Sequence, residues 1–461
     1  MKSTKAELKK VKREKEDLEL KVNLLEYLKD PENLQKKKQT ESQMAKNSGS
    51  IPRHTYRAED IVTCLMLYVY CGSSYRSIPR ILRVMCLRQG MEVGDLPDVT
   101  TVKGWVEKAG LAELQHSGKD LPESYAIVMD ESISTGGFKL LLTLGIPSEN
   151  VGHAVSHSDA VVLDMKVGAG FNSKDVKDTI NEVAEDVGRV PQFMLSDGGK
   201  NLEKGASEAG LAHHHDVGHK FANILKKVYG EDPDFKDLAK QVGKTKHWTL
   251  DKDLAPLKAP NQRSIARYMN IFSWSAWLDK VLEAYHHLAS KAKYHLGFVP
   301  RHASLAKELS EVGSMLKSVM EVLKSRGLSN DTAGECSKIM AKAQLTGGDQ
   351  RMASIADMMT QYIKQELKLV EDGTGSHNIS SDIIESSFGI YKNRRSSDKM
   401  AGITSIILAI ALQTYASDEN KWNDIDIRKL FANTTITDVR KWRKDSLPVS
   451  PNQLRKIKLS A

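Results

Sequence analysis

Between Ser124 and Asp197 the chain carries four apolar runs of strand length, and from Lys220 to about Glu371 it carries none. SYAIVMDES and FKLLLTLGI flank a Ser-Thr-Gly-Gly turn, AVVLDMKVG follows, and QFMLSDGG comes after the amphipathic stretch SKDVKDTINEVAEDVG. Apolar runs bounded by Gly, Ser and Asp read as strands, whereas an apolar stripe every three or four residues reads as helix. The order is β-β-β-α-β, an α/β arrangement with a mixed sheet. In the long stretch that follows, Trp274, Trp277, Leu278, Val281, Leu282 and Tyr285 form one helical stripe. Two such patterns in 461 residues call for more than one core.

Ahead of the strands the pattern differs again. Residues 1–46 are rich in Lys and Glu, and Leu8, Val11, Leu18, Val22 and Leu25 fall on alternating steps of three and four broken by Lys15, so a coiled-coil or oligomerisation segment is expected there. The polar run from Lys36 to Ser50 reads as a linker. Three short helices are expected within 53–118: one from Arg57 to Cys71 ending at Gly72, one over SSYRSIPRILRVM, and one over PDVTTVKGWVEKAGL behind the capping residue Asp98. They suggest a helix-turn-helix, in which Thr100, Thr101, Lys103 and also Lys108 would face DNA while Val102, Trp105 and Val106 pack inward. A plain three-helix bundle is the alternative.

Charge narrows the partner classes. Residues 1–46 hold 13 basic and 9 acidic side chains and residues 421–461 hold 10 and 4, so a chain of net +8 has its positive charge at the ends. Basic ends suit a polyanion such as DNA, though solvated surface charge has the same composition. No stretch has the roughly 18 apolar residues of a membrane span, and four cysteines make neither a disulfide framework nor a paired metal knuckle. With no apolar leader in MKSTKAELKK, an intracellular, cytoplasmic protein is expected.

Asp130 falls within the first strand and Asp197 just past the fourth, which would bring two carboxylates to one edge of a sheet. Phosphodiester cleavage needs charge stabilisation of the attacking and the leaving oxygen, and two Mg2+ ions held by several carboxylates supply it. A third acid is wanted, and Glu385 is the choice; Mn2+ is a possible substitute ion.

VMDES, LSDGGKN and IIESSFGIYKNRR, carrying Asp130, Asp197 and Glu385, resemble the DDE motifs of cut-and-paste transposases. Asp216-Val217-Gly218-His219 resembles the [Cys/Asp]-x-x-His signature of Mutator-like and hAT-like transposases and related bacterial insertion-sequence enzymes. The resemblance implies an RNase H-like core interrupted by an all-α insertion, with Asp216 and His219 near the site. Lys392, Arg394 and Arg395, two to three turns beyond Glu385, suit the DNA backbone, with a solvated helix end as the alternative. On this reading residues 122–228 and 373–420 form the core, 229–372 the insertion and 421–461 a basic tail. The implied activity is metal-dependent cleavage of double-stranded DNA at terminal inverted repeats, followed by strand transfer into target DNA by at least a homodimer. A nuclease or resolvase without strand transfer, and a DNA-binding protein with a silent core, are the rivals.

Each acid has a plainer role available. Glu131 is an alternative to Asp130, Asp197 before two glycines can simply form a turn, and Asp382-x-x-Glu385 is a possible capping box. Asp164 is a reserve candidate that also suits a salt-bridged strand. His219 can be a core histidine, and His213 to His215 lack the spacing of a zinc site. Trp274 and Trp277 read first as core, with base stacking as the alternative for one of them.

Overall fold

The structure, a computed structural model, describes residues 49–52, 54–88, 94–119, 121–260, 268, 271–347, 350–370, 375–395, 398–416 and 426–460. The coiled-coil segment expected at 1–46 lies outside the described residues. The chain divides into two compact units, one of residues up to Ala112 with Ala416–Lys441, the other of Glu113–Tyr415 with Trp442 onward.

The first unit begins with helices α1 (Ala58–Val69), α2 (Ser77–Arg88) and the greater part of α3 (Val99–His116). Helix α1 buries Ile61, Cys64, Leu65 and Tyr68, one stripe at helical spacing. Asp98 closes the start of α3, accepting from the Thr101 N–H at 2.7 Å and the Thr100 hydroxyl at 2.8 Å. Val102, Trp105 and Val106 point inward, and so does Lys108, which is only 6% exposed. The Lys108 ammonium sits 4.1 Å from the Phe431 ring centre and 3.1 Å from His54 Nε2, so it does not face outward toward DNA. Burial drives its pKa down to about 8.

The second unit is mixed α/β. Strands β1 (Tyr125–Thr135), β2 (Phe138–Pro147) and β3 (Val161–Gly168) form an antiparallel meander; after α4 (Ser173–Val187), β4 (Phe193–Ser196) runs parallel to β1, and after α5 (Lys200–Glu208), β5 (Ala212–His215) runs parallel to β4. The sheet order is β3-β2-β1-β4-β5, which puts β1 at its centre. Tyr125, Ile127 and Met129 of β1 pack with Val176, Ile180 and Val183 of α4 and Leu202 and Ala206 of α5, covering one face. Because side chains alternate along a strand, Val128 and Asp130 project from the other face.

From Val217 to Leu367 the described elements are helical: α6 (Val217–Tyr229), α7 (Pro233–Lys244), α8 (Ile271–Ala284), α9 (Ser290–Leu296), α10 (Phe298–Arg301), α11 (Ala303–Arg326), α12 (Asn330–Gly347) and α13 (Gln350–Leu367), with short 3-10 turns between. They share a core around Phe221, Phe235, Trp274, Leu278, Leu309 and Ile355. Trp274 is 1% exposed inside it, and Trp277 donates its indole N–H to the Leu257 carbonyl at 3.2 Å, so both are packing residues. The chain then returns through α14 (Asp382–Arg394), beside β1, and α15 (Leu408–Tyr415), beside β3.

The basic tail is divided between the units. Helix α16 (Ile427–Asn433) and the first part of α17 (Ile436–Ser446) belong to the first unit, whereas the end of α17 and α18 (Pro451–Ser460) belong to the second. Ile427, Phe431 and Val439 are buried, so this segment carries an apolar stripe beneath its charge. Among the described residues no helix is long and apolar enough to cross a membrane.

Helices α4 and α5 cross so closely that a Cβ on Gly205 would lie 2.5 Å from Val176 Cγ1 and 2.9 Å from the Ser173 carbonyl oxygen. Gly205→Ala should therefore cost about 1–3 kcal/mol in urea unfolding. Gly334→Ala, where a Cβ meets nothing within 4 Å in helix α12, should gain about 0.5–1 kcal/mol. Equal effects of the two changes would contradict this packing.

Candidate carboxylate site on the central strand

Asp130 lies midway along β1, opposite Leu142 of β2, and Asp197 is the first residue after β4, the parallel neighbour of β1. The local sequence fixes both. Glu131, next along the strand, must face the other way; it pairs with Lys139 and accepts from the Phe171 N–H at 3.3 Å. Glu131 is thus spoken for on the opposite face. Asp164 stands opposite Thr143 on that same opposite face, 4.0 Å from Lys166, and is a strand residue beside a lysine. The turn after Asp197 needs glycine, since Gly198 has φ +83° and a Cβ there would meet His215 Cδ2 at 2.8 Å. Asp197 helps form that turn by accepting from the Gly199 N–H at 2.9 Å.

Helix α14 brings Glu385 toward this edge, and the capping-box geometry is absent from its start. The Asp382 N–H, the group such a box would satisfy through Glu385, lies 3.5 Å from the Ser380 hydroxyl, while the Ser381 N–H donates to Asp216 Oδ2 at 2.6 Å. Asp216, 2% exposed, caps α6 with its other oxygen, accepting from the His219 N–H at 2.7 Å. One buried carboxylate therefore joins the starts of two helices 165 positions apart in sequence. His219, one turn into α6, is thereby directed at Glu385, with Nε2 to Oε1 at 3.1 Å.

The charges respond to one another. Burial pushes the Asp130 carboxyl up to about 6, the charges of Asp197 and Glu385 add to the rise, and the Glu131 N–H and His219 hold it back. The bond to Glu385, against the cost of burial, raises His219 to about 9, with Asp216 and Asp197 contributing; it is an imidazolium at neutral pH. The same bond holds Glu385 below the ordinary carboxylate range. Burial raises Asp216 in spite of its two amide donors.

Further contacts hold α14. Asp382 pairs with Lys324 of α11, the Ser386 hydroxyl meets His157 Nε2 at 2.9 Å, and Lys392 Nζ donates to the Ser132 hydroxyl of β1 at 3.1 Å. Arg394 is half-buried in the last turn of α14 and Arg395 is the exposed residue that ends it. Lys392, Arg394 and Arg395 thus follow Glu385 along one helix, and Lys392 is tied to the strand that bears Asp130.

In the first unit, Thr100 and Thr101 occupy the first turn of α3 and wall a cleft of about 760 Å³ whose other side is Phe431, Thr435 and Ile436. Lys103 lies 3.7 Å from Glu107.

The histidine run is a strand, and each of its three rings has a side-chain partner, two of them sharing Glu366. His213 Nε2 meets the Ser196 hydroxyl at 2.7 Å; His214 Nδ1 and His215 Nδ1 meet the two oxygens of Glu366, on α13, at 2.7 and 3.1 Å. His214 Nε2 also lies 2.9 Å from His377 Nδ1. Glu366 is 4% exposed, and burial would raise its pKa, but the two histidine bonds overcome that and bring it to about 2. Sequence reasoning missed this group, because nothing local marks Glu366 as the partner of residues 151 positions away.

Asp130, Asp197 and Glu385 offer only carboxylate oxygens, the donor type that Mg2+ and Mn2+ prefer. Among the described residues, no group of three or more His, Cys, Asp or Glu is drawn together as a ready-made metal site. What links the three acids is charge, with His219 as the nearby cation.

Two outcomes follow. Asp216→Asn puts an amide N–H₂ against one of two backbone donors and should cost about 2–4 kcal/mol in denaturant unfolding, whereas Asp382→Asn, on the surface, should cost under about 1. A similar cost for both would contradict the joint. Acid should destabilise the fold in two steps. His377 and His213, lowered by burial to about 4 from 6.5, are held neutral, so the unfolded chain binds protons first and stability falls from pH 6.5 toward 4. Glu366 contributes fully above its ordinary 4.5 and loses that contribution as the pH drops toward 2. His215, raised by its bond to Glu366, acts oppositely and loses its contribution as the pH rises through its folded value above 6.5. Calorimetric melts should show Glu366→Gln less stable at pH 7 and less sensitive to pH below 4.5; an unchanged acid limb would count against the network.

No family model and no curated protein matches this chain.

Proposed function

We propose that this chain is a DNA transposase of the DDE type, built on an RNase H-like sheet with a helical insertion between the second and third acids. The observation that carries the reading is the position of Asp130 in the central strand, with Asp197 at the end of the parallel neighbour and Glu385 on the helix beside β1, and with the charges of both raising the Asp130 carboxyl. A carboxyl raised to about 6 by burial and by like charges signals a group that gains from a nearby cation. The sheet order, with three antiparallel strands followed by two parallel ones, and the helices between Asp197 and Glu385 support the same reading.

In this reading Asp130, Asp197 and Glu385 would hold two Mg2+ ions, whose charge would stabilise the attacking and leaving oxygens in phosphodiester cleavage and strand transfer. The chain's own residues do the positioning. His219 orients Glu385 through a 3.1 Å bond, and Asp216 fixes His219 by capping its helix. Lys392, Arg394 and Arg395, on the same helix as Glu385, are suited to the DNA backbone. Duplex DNA is the substrate, and joining two ends calls for at least a dimer. The first unit, with its three N-terminal helices, serves as the DNA-binding part, of helix-turn-helix type.

The test uses the full chain and a supercoiled plasmid carrying the DNA that flanks its coding region. With Mg2+ or Mn2+ the plasmid should be nicked and cut, and pre-nicked ends should be joined to a second plasmid; with Ca2+ the DNA should be bound without cleavage. Asp130→Asn, Asp197→Asn and Glu385→Gln should each lower cleavage by about 10³-fold or more with DNA binding retained. Cleavage without joining identifies a nuclease instead, and full activity in all three variants would eliminate this site.

A further inference from the structure

Helix α2 is unlike the rest of the first unit. It buries only Ile78, while Val84, Met85 and Leu87 are 58%, 45% and 60% exposed. From Ile61 to Met91 the sequence contains four arginines, Arg76, Arg80, Arg83 and Arg88, with no lysine and no acidic residue. All four are exposed. Arg76, just ahead of the helix, and Arg80 and Arg83 within it follow steps of four and three, so they share one side, opposite Ile78. Among the described residues none of the four guanidinium groups has an ion pair or hydrogen bond.

Several basic groups elsewhere in the chain are matched locally: Lys166 with Glu182, Lys291 with Asp251, and Arg351 with Asp232 and Glu308. A row of unmatched arginines keeps its charge for something outside the chain. Arginine is also the side chain whose planar fork suits phosphate oxygens. Over seven residues the row spans roughly 10 Å, whereas duplex DNA presents a charge about every 1.7 Å along its axis, so several phosphates come within reach.

The first turn of α3 is less open. Thr100 and Thr101 line the cleft closed on its other side by Phe431 and Ile436, and the acid Asp98 sits on both residues. Lys108, deeper on the same helix, is spent on Phe431 and His54. Among the three N-terminal helices the unopposed exposed cations are therefore those of α2, while Arg428, Lys429, Arg440 and Lys441 in the later part of the unit are exposed as well.

We propose that the arginine face of α2 is the principal backbone-gripping surface for duplex DNA in this unit, ahead of the first turn of α3. The choice of DNA over another polyanion rests on the transposase reading. Leu87 lies among the arginines and Val84 beside them, and both would lie against sugar and base-edge surface, whereas Met85 shares the Ile78 side.

The experiment is fluorescence anisotropy with the full chain and a labelled duplex of flanking DNA at several salt concentrations, with circular dichroism melts for every variant. Arg76→Ala/Arg80→Ala/Arg83→Ala should weaken binding about tenfold or more at moderate salt and reduce the slope of log K against log salt by roughly two to three. The triple lysine variant should recover most of the slope, which a merely structural loss would not. Thr100→Ala/Thr101→Ala/Lys103→Ala should change binding much less. If the α3 variant loses affinity while the α2 variant keeps it, the assignment to α2 is wrong and DNA binding stands. If light scattering shows that the α2 variant loses self-association with DNA affinity intact, the face joins two copies of the chain and the proposal is overturned. A native chain that binds no duplex defeats the DNA reading itself, a failure visible before any variant is made.

Discussion

The whole carboxylate site depends on one desolvated aspartate. Asp216 accepts two backbone N–H groups, one from the first turn of α6 and one from the start of α14, and it has almost no contact with water. A buried carboxylate is costly unless its lone pairs are met, and the two amides meet them with short, charge-assisted bonds. Beside it, the Val217 N–H donates to the Ile379 carbonyl at 3.0 Å and the Asp216 N–H to the Ser196 carbonyl at 2.8 Å. The strand that leads to Asp197, the helix that bears His219 and the helix that bears Glu385 are thus tied at one point. A shift of that point moves every polar group around Asp130.

A second buried acid performs the corresponding service for the helical layer. Glu366 reaches from the end of α13 to two histidines of β5, and Tyr362, one turn earlier, donates to the His215 carbonyl at 2.7 Å. His215 in turn lies against Gly198, the residue after Asp197, at a distance that excludes any side chain there. The helices between the sheet and α14 are therefore in mechanical contact with the turn that carries Asp197. His219 acts differently, through charge. An imidazolium among Asp130, Asp197, Asp216 and Glu385 lessens a repulsion that burial would otherwise sharpen.

Much of the fold was legible where the signal is local. Four of the five strands and the three helices of the first unit follow from periodicity and turn residues, and the alternation of β1 correctly separates Asp130 from Glu131. What escaped depends on distant partners. Strand β5 is a four-residue segment containing three histidines, and only its pairing with β4 makes it a strand. The 421–461 segment was marked by its charge, yet Ile427, Phe431 and Val439 bind its first half into a helical core. Lys108 looked like an outward cation on a helix and is stabilised inside by an aromatic ring. The spacing of Asp382 and Glu385 suggested a cap, but Glu385 meets His219 instead, and the neighbouring Ser381 amide is taken by Asp216 at the start of another helix. Local pattern gives each element; it is silent on which element satisfies another's exposed backbone.

Synthesis runs in one direction, and this has a consequence for the clasp at Asp216. The ribosome completes β1 to β5, with Asp130 and Asp197, well before it reaches Glu385, which is 188 positions beyond Asp197. Until then Asp216 lacks the Ser381 amide that satisfies half of it, and the acidic edge of the sheet lacks its third member. A nascent or truncated chain ending short of residue 381 therefore carries an exposed, incomplete edge. Helix α14 both satisfies Asp216 and brings the third acid, so the set of acids is complete only after the whole helical layer has been made.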